Sequence, residues 1–440
     1  MAIPVKKSAQ LQTLFSTISV PCKESLIMTI KAAMADGEQQ LPFGELLTLL
    51  GHEAFHDERW KRLFSVVQPL TTATVQRCDQ IGEAFLSHVW EYFLRDINSD
   101  QAAAWLSGEE DTAAVRASII DSFKPLLEGK RKKKKVEPNL AARHEREMET
   151  LLSLLARAEE IEDFFSGWPR QIKSLDEAHL VPLREFNDHL IVKSPEITPY
   201  LLFLAKSHLR HPYQIFRAVE KVTGHSNDRV MVNTELKLVG DALLDENDTW
   251  LESFKWDVGK ECHPAALVTA LKNFIELTQG WSSEFDIDPS GPWGKRLAGQ
   301  RARCARVWDS YMTRIQKAVD QIMPRKRGTI TGRQTMPDLA KTQEKHDILL
   351  AENAVSLLRH AQGFASQGGF QFSKNKAVHL LETRLEEQGD DLLALFGRKN
   401  EADNIQVSAH FAVLVGMTKA FLGEDNASIL VRRGAVAMAA

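Results

Sequence analysis

His52, Glu53 and His56 stand in the order that a zinc-assisted hydrolysis needs, inside the word His52-Glu53-Ala54-Phe55-His56. Residues four apart share one face of a helix, so the two imidazoles can address a single Zn²⁺. Glu53 would then take a proton from the metal-bound water, whose pKa the ion has lowered toward neutrality. On this reading His52 and His56 are metal ligands, Glu53 is the catalytic base and Zn is the cofactor. A plainer reading uses the same periodicity. Leu49, His52, His56, Trp60 and Leu63 fall within a narrow arc of a helical wheel, so both histidines can simply rim an apolar face.

Several features separate this word from the zinc peptidases it resembles. Asp57 and Glu58 follow the second histidine, where an inward-packed active-site helix calls for uncharged residues. Glu83 and Glu91 lie at workable downstream distances for a third ligand, but neither belongs to a recognisable second motif. Arg62 occupies the place of the third histidine of metzincins, and residues 1–50 show no strand against which a substrate would lie. Zinc hydrolysis is therefore an alternative to the main reading.

Other constellations fail on spacing. Asn227, Asp228 and Glu235 have the separation of the metal-binding triplet of class I terpenoid synthases, and Asp96 with Asp100 would form a second carboxylate pair. Met231 stands where that triplet needs a hydroxyl, and no upstream aspartate-rich word matches. Asp245, Glu246, Asn247 and Asp248 lack the glycine and closing glutamate of a calcium loop and are expected to form a solvated helix connection. His208 and His211 can share a helical face, but Pro212 follows at once. Gly291, Gly294 and Lys295 fall short of a phosphate-binding loop, and no GxSxG occurs.

Two basic segments carry a different possible chemistry. Lys130, Arg131, Lys132, Lys133, Lys134 and Lys135 form an unbroken run, and residues 324–337 hold Arg325, Lys326, Arg327 and Arg333 with no acid. These ten cations sit in a chain of formal net charge −4, so the rest of the molecule carries about −14. Such runs repel themselves and are expected to be solvated, mobile loops. As binding elements they would contact a polyanion, nucleic acid or anionic lipid, through counterion release that makes affinity salt-sensitive. The acidic remainder argues against a dedicated DNA-binding domain.

The elements that must position these residues read as helices almost throughout. Leu151, Leu154, Ala158, Ile161 and Phe165 form a stripe that predicts one long helix stopped by Gly167 and Pro169. Leu350, Ala354, Leu357, Ala361 and Phe364 form another, closing near Gly363, Gly368 and Gly369. Similar patterns cover 72–97, 228–254, 263–279, 296–322, 375–396 and 405–421, while Thr329 to Thr331 is the best strand candidate. The fold class is all-α, with no sizeable sheet. The expected organisation is an N-terminal helical domain (1–129), a basic linker (130–138), a central helical domain (139–323), a second basic linker bounded by prolines (324–337) and a C-terminal helical module (338–440).

Nine tryptophans and ordinary apolar content predict packed cores, and Cys22, Cys78, Cys262 and Cys304 show neither CxxC spacing nor a disulfide framework. No apolar stretch follows Met1 to Lys7, so no signal peptide is expected, and the longest apolar runs, 200–205 and 411–417, are expected to be too short to span a bilayer. A cytoplasmic location is expected. With no cofactor word and many amphipathic faces, the expected function is non-enzymatic: an adaptor, scaffold or assembly subunit whose partners are other proteins. Polyanion binding through the two basic segments is the second expectation.

Overall fold

The computed structural model describes residues 58–93, 101, 105, 111–127, 144–225, 228–256, 263–327, 335–396 and 401–439. Among them are sixteen α-helices and two small sheets of two strands each, so the chain is an all-α protein. The chain divides into two compact units, 1–210 and 211–440.

The first unit contains α1 (Glu58–Leu63), β1 (Thr71–Thr72), β2 (Ile81–Gly82), α2 (Glu83–Tyr92), α3 (Thr112–Leu127), α4 (Glu145–Leu155), α5 (Ala158–Ser166), α6 (Glu177–Ile191) and α7 (Thr198–Ser207). A 3₁₀ turn at Ser65–Leu70 buries Val66, Val67 and Leu70 and packs against α4, α5 and α7. The stripe expected to make one helix makes two. The chain leaves helical geometry at Arg157 (φ −129°, ψ 22°), whose Nε donates to Ser194 Oγ, and it resumes as α5 with Ala158 and Ile161 still buried. The pattern of 72–97 is also divided, with the helix beginning only at Glu83 after the paired strands.

The second unit contains α8 (Ile215–Thr223), α9 (Asp228–Met231), α10 (Lys237–Ser253), α11 (Pro264–Glu284), α12 (Pro292–Ile322), β3 (Arg325–Arg327), β4 (Thr335–Pro337), α13 (Lys345–Ala361), α14 (Gln371–Phe396), α15 (Glu401–Leu422) and α16 (Glu424–Ala439). Its spine is α12. Pro292 begins this helix, where its missing N–H costs nothing, and Trp293, Leu297, Gln300, Cys304, Trp308, Tyr311, Ile315, Val319 and Ile322 keep one buried seam at steps of three and four. It stops at Met323, which precedes Pro324 and is driven out of the helical region. One core joins α11, α12, α13, α14 and α15. Residues 324–337 therefore lie inside this unit: α12 on one side of them and α13 on the other pack directly together.

At the two ends of this segment, β3 and β4 pair with each other. Arg325 pairs with Pro337, and Arg327 with Thr335, in antiparallel register. The strand candidate at 329–331 lies outside the described residues, between these two strands. One helix among the described residues, over Ile405–Leu422, is long and apolar enough to cross a membrane. Here it is a core helix. Its Val407, Phe411, Leu414, Met417 and Phe421 are buried, and it packs against α13, α14 and α16.

Candidate functional site

The zinc word, His52, Glu53 and His56, lies outside the described residues, as do Lys130, Arg131, Lys132, Lys133, Lys134 and Lys135 and the Asp96 and Asp100 pair. Among the described residues, no group of three or more His, Cys, Asp and Glu is placed to hold a metal ion. Asp228 is buried and accepts a hydrogen bond from the Asp288 backbone N–H, whereas Glu235 is exposed. His208 is a stacking ring, 5.2 Å from Phe165, with Nδ1 3.0 Å from the Pro169 carbonyl oxygen. In the second unit, His211 lies 4.0 Å from Glu276.

In the described part of the second basic segment Arg325 and Lys326 have acid partners, so these two residues are not the free cations expected of a mobile loop, while Arg333 lies outside the described residues. Arg325 donates to Asp391 Oδ2 at 2.6 Å, lies 3.8 Å from Glu387 and also reaches the Thr335 carbonyl. Its side chain is only 8% exposed, which leaves little of the guanidinium for a phosphate. Lys326 is 3.6 Å from Asp338, and Arg327 is the last residue of β3. The acids that neutralise Arg325 come from α14, more than sixty positions away, and no local pattern announces them.

The acidic stretch at 245–248 is likewise no solvated connection. It lies in the middle of α10, with Glu246 and Asn247 buried. Arg296 bridges Asp245 and Asp248 at 2.6 and 2.7 Å, and Arg303 bridges Asp248 and Glu252 at 2.8 and 2.6 Å. Below them, Asn247 Nδ2 donates to Thr278 and Gln300, so α10, α11 and α12 are joined by one polar network.

What remains open is a groove between α12 and α14, a cavity of about 630 Å³. The two helices run in the same direction, because Ser373 meets Asp309 near one end and Arg384 meets Asp320 near the other. Its floor is apolar, with Met312, Ile315 and Val319 from α12 and Ala377 and Leu381 from α14. At its mouth Phe372 is 84% exposed and Leu380 46% exposed. Asp309 and Asp320 line the α12 side and Lys376, His379, Arg384 and Glu387 the α14 side, with Asp320 and Arg384 paired across the groove at 3.3 Å. From Asp309 to Asp320 the α12 wall is about 16 Å long, about three turns of helix. Phe372 opens α14 just before the regular stripe begins, so helical periodicity gave no reason to single it out.

No protein-family model, curated protein or solved structure matches the chain.

Proposed function

We propose that this chain works by presenting surfaces, as an adaptor, scaffold or assembly subunit, and that the α12–α14 groove receives an amphipathic helix of another protein. One observation carries the reading: the Phe372 ring is almost wholly in water above an apolar groove. Burying a phenylalanine side chain is favourable by about 1.5–3 kcal/mol, so a partner that covers it gains directly. A short helix laid in the groove would rest its apolar face on the floor beside Phe372.

Polyanion binding through the second basic segment has less support, since Arg325 and Lys326 already have carboxylate partners. Zinc chemistry rests on His52, Glu53 and His56, which lie outside the described residues. The test is affinity capture with the full chain, wild type beside Phe372→Ser and Leu380→Ser. Proteins held by the wild type and lost from both variants, whose melting is unchanged, are the expected result. An identical set retained by all three overturns the groove as the binding surface.

A further inference from the structure

The last helix, α16, has one face in the core and an opposite face, part apolar and part charged, in solvent. Ala427 and Gly434 are buried and Leu430 and Ala437 are half-buried against the unit's core, and Gly434 lies so close to Phe411 that a Cβ there would come within 2.6 Å of the ring. The opposite side carries Asp425, Ile429, Arg432 and Val436 at steps of four, three and four, a single stripe pointing to solvent. Ile429 is 51% exposed and Val436 71%, and Leu422, just before the helix, is 38% exposed.

The charges on this stripe are arranged for an antiparallel partner. Glu424 pairs with Lys419 and Arg433 with Asp390, while Asp425 and Arg432 have no ion pair among the described residues. They stand about 10 Å apart along the helix, too far to neutralise each other. We infer that two copies of this chain associate through antiparallel α16 helices, with Asp425 of each across from Arg432 of the other. The two Ile429 side chains then meet near the two-fold axis, and each Val436 comes beside Leu422 of the second copy. A parallel pairing would oppose Asp425 to Asp425 and Arg432 to Arg432, so the charge pattern selects the antiparallel one. The surface is separate from the α12–α14 groove, and the inference stands whether or not that groove binds a partner.

Sedimentation equilibrium of the full chain tests it, with wild type, Asp425→Arg, Arg432→Asp, the double swap and Ile429→Ser. Each single reversal turns two attractions into two repulsions and should weaken the dimer by about tenfold or more. The double swap should restore wild-type association, and Ile429→Ser should weaken it without touching charge. Circular dichroism confirms that α16 remains helical in each. A wild type that stays monomeric as concentration rises overturns the inference. So does a dimer indifferent to all four variants, or a double swap as weak as the single reversals. Monomers that co-sediment with vesicles of anionic phospholipid would instead assign the face to a membrane surface.

Discussion

Asp79 is a carboxylate almost without water: its side chain is 2% exposed, and that of its partner Lys206 is 5% exposed. Burial opposes the charge, yet Lys206 and Arg77 outweigh it and hold the Asp79 carboxyl below its ordinary range. Losing Lys206 is costly even though Arg77 remains 3.1 Å from Asp79, because part of a buried charge then goes uncompensated. Lys206→Met should therefore lower unfolding free energy by about 1–3 kcal/mol, read from denaturant titration. A loss below about 1 kcal/mol would mean that water reaches Asp79 in solution. Cys304 makes a second residue-scale case. Burial pushes its thiol up to about 12, so almost no thiolate exists near neutral pH. Site-resolved alkylation of the native protein should modify Cys78, which is partly exposed, well before Cys304, which should react only after unfolding.

At the scale of elements, close helix contacts decide more than hydrophobic periodicity does. A Cβ on Gly240 of α10 would come within 2.2 Å of the Trp293 ring, whose Nε1 donates to Asp241. Gly240→Ala should therefore destabilise the protein by about 1–3 kcal/mol even though alanine is the better helix former, and thermal unfolding will show it. The seam of α12 was legible in the sequence because, apart from Gln300, apolar residues recur every three or four positions along it. So was the all-α class. The break between α4 and α5 was not, since neither Gly nor Pro stands at 156–157 and the stripe keeps its phase across it. The 245–248 stretch misleads for a different reason: four polar residues in a row suggest solvent until Arg296 and Arg303, fifty positions on, supply their partners. The groove was the least legible feature of all, because it exists only where two distant helices lie side by side.

At the scale of the whole second unit, a buried tie joins α12 to α15 through Gln343. His410 of α15 is buried, and its Nδ1 lies 2.6 Å from Gln343 Nε2, which also donates to the Ile322 carbonyl. Burial lowers the His410 pKa below its ordinary value, against the smaller opposing effects of the Leu339 backbone and Asp338. The folded protein therefore binds this proton less readily than the unfolded chain, and stability falls as pH drops through the unfolded value near 6.5. Melting temperature should decline between about pH 7.5 and 5.5, and His410→Gln should flatten part of that decline. An unchanged slope would assign the acid sensitivity to other histidines.

The central claim is that the α12–α14 groove holds a helix of another protein. The direct measurement is photo-crosslinking in the native cell with a benzophenone side chain at position 372, beside a control at Val192, which is also 84% exposed but lies on the first unit. The account predicts a crosslink confined to position 372 that maps to an amphipathic helical segment of a partner. Equal, diffuse crosslinking from positions 372 and 192, or none from 372, would contradict it.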